Sequence, residues 1–282
     1  MNWYEGLLLG LVQGLTEFLP VSSSGHLRIG RELLGIEAGG DIVFEVAVHA
    51  ATVLSTIVVF RKQIWDMLCS LFAKDGLFRN IKSPSTFNDG TDYVLKILVS
   101  MVPVFVVGMF FKDAVTALFD SIYVVAAALL LTAALLLLSD FSSRIFKTSR
   151  AQEAAPASRN GISWWQALVV GIGQAVAVIP GLSRSGTTIA TGLLCGVKRD
   201  VVAQFSFLMV LVPILGEAFL DIVGGDFSAS TTGAVPILAG FCSAFLSGLV
   251  ACRTMVALVK KTRLGWFALY CVLLSAAIFI FA

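Results

Sequence analysis

Uncharged or nearly uncharged apolar runs of bilayer length constrain this chain more than any other feature. Ile122 to Leu138 carries no charge, Val94 to Phe111 carries one basic residue near its start, and Leu264 to Ala282 is apolar almost throughout. A helix needs about 20 such residues to cross the hydrocarbon core of a membrane. Composition agrees. Of 282 residues, 57% are hydrophobic and only 13% charged, with a mean hydropathy of +0.90, whereas soluble domains carry roughly 25% charged residues. The chain is therefore expected to be an all-α polytopic membrane protein. A net charge of +2 gives no argument for nucleic acid, since Lys and Arg cluster in loops, where they set membrane orientation. The start, MNWYEGLLLG, lacks the basic flank of a signal peptide, so no cleavage is expected. Cys69, Cys195, Cys242, Cys252 and Cys271 show no CxxC spacing and read as structural, with neither a disulfide nor a zinc site.

Candidate spans are Phe44 to Phe60, Val94 to Phe111, Ile122 to Leu138, Val201 to Val223, Val235 to Arg253 and Leu264 to Ala282. Two other segments, 3–35 and 164–197, are each broken by a proline and a polar turn. They read as re-entrant helical hairpins, which are tolerated at membrane depth only where protein or a water-filled cavity covers the freed backbone. The expected architecture is about six transmembrane helices plus two re-entrant hairpins in an inverted-topology repeat. Its first half is 1–139, its linker 140–163 and its second half 164–282. If the basic loops 61–92, 140–163, 198–200 and 253–263 all lie inside, every span alternates and both termini lie outside. The hairpins then enter from opposite faces and their turns meet near the midplane.

Those turns carry the polar chemistry. The first stretch reads GLVQGLTEFLPVSSSGHLRIG and the second GIGQAVAVIPGLSRSGTTIATG, with Gln13 preceding Ser22 as Gln174 precedes Ser183. Gln13 and Glu17 stand four apart, on one helix face. Ser22, Ser23, Ser24 and His26 in one turn, and Ser183, Arg184, Ser185 and Thr188 in the other, place hydroxyls and free N–H groups at helix starts, where the dipole favours an anion such as phosphate. Arg184 adds a planar, permanently charged fork suited to a diphosphate. Glu17 alone would repel that guest. It fits as a ligand for Mg²⁺ or Ca²⁺, which bind through one or two carboxylates plus substrate phosphates, with Gln13 a weaker ligand. Buried charge at these depths costs about 2.5–3.5 kcal/mol per Asp or Arg, which argues against bland helix packing. His49 has no polar cluster near it in sequence and reads as a core histidine. Glu45 and Glu217 are expected to pair or to line the cavity, Arg28 and Arg31 to supplement the anion site or to meet lipid headgroups, and Arg253 to snorkel.

Through QGLTEFLPVSSSGH (Gln13 to His26) and PGLSRSGTT (Pro180 to Thr188) the chain resembles the undecaprenyl-pyrophosphate phosphatases known for bacitracin resistance, and the resemblance covers essentially its whole length. It implies a bacterial cytoplasmic (inner) membrane enzyme that removes the terminal phosphate of a C55 polyprenyl diphosphate, regenerating the lipid carrier of cell-wall synthesis, with a site open to the outer, periplasmic side. Bacitracin then competes by binding the substrate. Carried onto this sequence, the resemblance implies Glu17 as the essential carboxylate, Ser23 and His26 as catalytic, and Ser183, Arg184 and Thr188 as the grip on the diphosphate. Many members carry a second glutamate where this chain has Gln13, which leaves the metal to Glu17, water and phosphate oxygens. The favoured mechanism is attack by Ser23 with His26 as its base. Direct attack by His26 or by a metal-bound water stays open.

The rival from another class is a polyprenyl-phosphate flippase or secondary transporter, because broken helices at the midplane are also the plan of such carriers. A carrier needs no activated nucleophile. A purely structural membrane protein leaves the paired polar turns unexplained. Gly240, Ser243 and Gly248 suit a homodimer or neighbouring helices equally.

Overall fold

The computed structural model describes residues 1–36, 42–77, 87–118, 121–148, 160–216 and 232–281. Among them there is no strand. The helices are α1 Trp3–Thr16, α2 Ser23–Leu33, α3 Ile42–Val59, α4 Arg61–Phe72, α5 Asp89–Phe110, α6 Lys112–Leu118, α7 Ile122–Thr148, α8 Trp164–Val176, α9 Arg184–Leu194, α10 Arg199–Met209, α11 Ala234–Lys261 and α12 Gly265–Phe281. After a break at Val210 the chain is helical again to Gly216. Glu217 and the acidic loop with Asp221 and Asp226 lie outside the described residues, as do Arg79, Lys82, Arg150 and Arg159.

Four of these helical segments are long and apolar enough to cross a membrane: Asp89–Phe110, Ile122–Ser142, Arg199–Gly216 and Ala234–Val259. The count rises to five if α3 and α4, bent by 77° at their junction, form one span. The last helix is apolar and 17 residues long. Large apolar side chains stand exposed around the bundle, among them Trp3, Leu11, Phe105, Phe110, Leu246 and Phe281. In water such a surface would aggregate; in lipid it is the solvated face. The chain is a multi-pass, all-helical membrane protein.

Three differences from the sequence reading have local causes. Residues 61–72, expected as a charged connection, form α4, because Ile64 and Met67 pack on the core while Trp65, Leu68 and Phe72 stay exposed. Next, α7 continues past Ser139 to Thr148, so the linker expected from residue 140 begins inside a helix. Buried Asp140 accepts from Arg199 Nη2 at 2.6 Å and from the Gly265 backbone at 3.1 Å, tying α7 to the starts of α10 and α12. Finally, α2 and α9, expected over Leu27 to Leu34 and Thr187 to Val197, start earlier, at Ser23 and Arg184, because Ser22 and Ser183 cap them: Ser22 Oγ accepts from Gly25 N at 3.2 Å and Ser183 Oγ from Gly186 N at 3.1 Å. A side-chain oxygen at this position satisfies one of the orphan N–H groups of a first turn.

Glycines set the closest helix approach. Gly6, Gly10 and Gly14 recur every four residues on one face of α1, against Pro236, Gly240 and the Ala244–Gly248 turn of α11. Gly171 of α8 rests in the same way on the Ser100 backbone of α5. Gly240 also faces Phe44 of α3, and Gly248 faces Ser55, whose Oγ donates to Phe245 O at 2.8 Å. Gly240 and Gly248 therefore serve packing within the chain.

Candidate active site

The two polar turns meet. Ser24 Oγ accepts from the Gly181 backbone at 3.4 Å, and Ser185 Oγ donates to Leu19 O at 3.0 Å. Gly181 has φ +86, and a Cβ there would lie 2.5 Å from Val125 Cα, so only glycine fits. With Gln13 laid on Gln174 and Ser22 on Ser183, Glu17 falls on Val178, Ser23 on Arg184 and His26 on Thr187. One turn thus brings the carboxylate, a free hydroxyl and the imidazole, and the other brings the cation.

Glu17 is the hub. Its side chain is 7% exposed. Oε2 accepts from Ser23 Oγ at 2.6 Å and from Gln13 Nε2 at 2.8 Å, while Oε1 pairs with the Arg184 guanidinium. Three donors and one full positive charge offset the burial of this carboxylate, which would otherwise cost several kcal/mol. Ser23 Oγ, the first hydroxyl of α2, consequently has a proton acceptor already in place.

Ser23 is not paired with His26. Nδ1 of His26 meets Ser22 O at 2.6 Å and its Nε2 meets the Tyr270 hydroxyl at 2.7 Å. A carbonyl only accepts, so Nδ1 carries the proton, Nε2 accepts in the neutral ring, and Tyr270 donates. The two rings stack with centroids 5.6 Å apart and planes 5° from parallel. Ser22 is held at φ 69, the one positive-φ non-glycine among the described residues. That conformation costs on the order of 1–3 kcal/mol and aims the Ser22 carbonyl at His26. Ser183, at the matching place, has an ordinary φ of −72, so the strain belongs to the half that carries the histidine.

The other sequence candidates divide. Ser185 and Arg184 line a small open cleft alongside Glu17, Ser206, Thr52 and Thr56, and the apolar side chains of Phe18, Val53, Phe207, Val210 and Ile214 complete its lining. Ser22, Ser183 and Thr188 are buried. The first two act as caps, and Thr188 Oγ1 is bonded to Arg184 O at 2.9 Å and to Ser206 Oγ at 2.5 Å, so it supports the turn that presents Arg184. Arg31 is buried and paired with Glu45, joining α2 to α3.

Three residues were missed from sequence. Tyr270 and Ser206 reach the site from α12 and α10. His49 Nε2 lies 4.0 Å from Glu17 Oε2, so the expected core histidine stands beside the polar cluster instead. An imidazole inside a span is itself a costly group, and that was the available signal.

For a divalent cation the protein offers few ligands. Among the described residues no three His, Cys, Asp or Glu side chains stand together. Gln13, however, is fully buried with its Oε1 unpartnered beside Glu17, a neutral oxygen donor of the kind such cations accept.

The family model described as "Bacitracin resistance protein BacA" matches residues 6–277. The chain belongs to the BacA family. Relatives named undecaprenyl-diphosphatase include one from Parabacteroides distasonis, 49% identical over 275 residues, covering 96% of this chain and 95% of the relative. Another, from Bacteroides fragilis, is 47% identical and covers 98% and 96%; a third, from Christiangramia forsetii, is 41% identical and covers 100% and 99%. The matched range thus takes in both polar turns and every helix described above apart from the first residues of α1 and the last of α12.

Proposed function

We propose that the chain is an undecaprenyl-diphosphate phosphatase, hydrolysing the polyprenyl diphosphate to the monophosphate and inorganic phosphate. The observation that carries this reading is the Ser23–Glu17–Arg184 constellation, whose Glu17 and Arg184 line a cleft of mixed polar and apolar side chains. Ser23 Oγ attacks the terminal phosphorus as its proton passes to Glu17 Oε2, the bond to the bridging oxygen breaks, and the prenyl monophosphate leaves. Water then hydrolyses the seryl phosphate, restoring Ser23 and releasing phosphate. Glu17 replaces His26 as the base because it holds the hydroxyl; His26 is left for proton transfer by way of Tyr270. Arg184 exchanges its carboxylate partner for the diphosphate oxygens and offsets the charge that develops on them. Ser185 and Ser206 add hydroxyls, and Phe207, Val210 and Ile214 receive the first part of the prenyl chain. Glu17 and Gln13 would hold a divalent cation, Mg²⁺ or Ca²⁺, which when bound neutralises diphosphate charge.

The same reading places the enzyme in the bacterial inner membrane with both termini and the cleft on the outer side, as six spans and two hairpins in inverted repeats. The pairing of α1 with α11 alongside that of α8 with α5 supports the repeat, since an internal two-fold exchanges those pairs. Bacitracin would then act by sequestering the lipid diphosphate. A flippase would use the anion site but has no need of a serine held on a carboxylate.

The test is phosphate release from a long-chain prenyl diphosphate by purified protein, with and without chelator. Release that needs metal and is lost in Ser23→Ala and Arg184→Ala is expected. Folded wild type that releases none across a range of metals would end the phosphatase reading.

A further inference from the structure

Of the two histidines in the chain, one has both ring nitrogens engaged at short range and the other does not. His49 Nδ1 lies 2.9 Å from the carbonyl of Glu45, one turn earlier in α3. That carbonyl only accepts, so Nδ1 carries a proton and the neutral ring turns a bare lone pair outward from Nε2. What Nε2 meets is another acceptor, Glu17 Oε2, at 4.0 Å. The separation exceeds the 2.7–3.2 Å of a direct hydrogen bond. In the unprotonated form that a metal requires, Nε2 and Glu17 Oε2 are two acceptors, and a cation between them would satisfy both. Donor atoms each about 2.1 Å from a common ion are separated by up to about twice that distance. A third donor belongs to the same cluster: Gln13 is bonded to Glu17 Oε2 through Nε2, and its buried Oε1 has no partner.

We propose that His49 Nε2 is a ligand of the divalent cation at Glu17, so that the ion is held by one nitrogen, the carboxylate and the Gln13 carbonyl. The inference rests on the phosphatase reading in assigning the cation to Glu17, and it adds the ligand that decides which ion is preferred. Ca²⁺ and Mg²⁺ favour all-oxygen shells, whereas imidazole suits first-row transition ions. The site should therefore select Mn²⁺ over Ca²⁺.

Full-length protein in detergent, loaded with Mn²⁺, tests this by pulsed electron paramagnetic resonance, which detects nitrogen bonded to the metal. The wild type should show coupling to imidazole ¹⁴N that changes character when histidine is labelled with ¹⁵N. The coupling should persist in His26→Gln and vanish in His49→Gln, with Mn²⁺ affinity reduced at least the roughly 10–100-fold that outer-shell changes cost. Bound Mn²⁺ without imidazole coupling, coupling that survives in His49→Gln, or no Mn²⁺ binding would each overturn the proposal. Should His49→Gln not fold, coupling that persists in His26→Gln assigns the nitrogen to His49, the other histidine of the chain. Phosphate release measured on the same samples separates the two ideas: release without imidazole coupling removes His49 from the metal and leaves the phosphatase standing.

Discussion

Glu17 receives three donors on two oxygens, and each donor has a different fate when the residue changes. Glu17→Gln keeps the volume but can neither take the Ser23 proton nor balance Arg184. Phosphate release should fall by about 10²–10⁴-fold, the usual worth of a positioned acid or base, as steady-state assays on purified variant would show. Tyr270→Phe is milder. It removes one hydrogen bond to His26 Nε2 while keeping the ring that stacks on the imidazole, so kcat/KM should drop about three- to tenfold; Tyr270→Leu, which also loses the stack, should drop it further. Glu17, Ser23 and Arg184 were legible in the sequence because charge and hydroxyls are expensive in an apolar hairpin. Their partners were not. Tyr270 lies 244 residues from His26, and His49 meets Glu17 only because α3 packs beside α1, contacts that no local pattern encodes. The Ser23–Glu17 contact escaped for the same reason: adjacency in sequence favours a Ser23–His26 pair, while the start of α2 places Ser23 Oγ 2.6 Å from Glu17 at the end of α1.

At the level of helices, hydropathy found the long apolar helices α5, α7 and α11, and the prolines and polar turns marked where α1 gives way to α2 and α8 to α9, because both are one-dimensional signals. The α4 turn-off and the length of α7 escaped them, since each depends on which apolar residues the core covers. The glycine face of α1 lies between these cases: its spacing was visible, but not its partner α11. It makes a sharp prediction. A Cβ at Gly10 would run into the backbone of Gly240, atoms that cannot swing aside, whereas a Cβ at Gly108 in α5 meets nothing within 4 Å. Gly10→Ala should destabilise the protein by about 1–3 kcal/mol, the range for overpacking, and lower its thermal midpoint in detergent. Gly108→Ala should leave the midpoint unchanged or raise it slightly, through the better helix propensity of alanine.

The whole molecule is assembled by exchange between its halves. In space α1 belongs with α11, α8 with α5 and α7 with α12, so the largest contacts join residues before 148 to residues after 160. The site is divided in the same way, with Glu17 and Ser23 on one side and Arg184 and Ser185 on the other. Neither half can close the cleft alone. Once the chain is cut at a protease site placed within 151–158, the two fragments should therefore co-elute in detergent and keep phosphate release. The contacts that hold them are apolar packing against close-set glycines together with the pair of buried Asp140 and partly exposed Arg199, which joins α7 to α10. In the cleaved protein, Asp140→Ala would remove the buried carboxylate that accepts from Arg199 and from the Gly265 backbone, a loss of about 1.5–3 kcal/mol for a hydrogen bond to a charged group. Fragments carrying that substitution should separate under detergent conditions in which the unsubstituted pair stays together. Fragments that fall apart without any substitution would show instead that the link, and not the exchange of helices, holds the two halves in register.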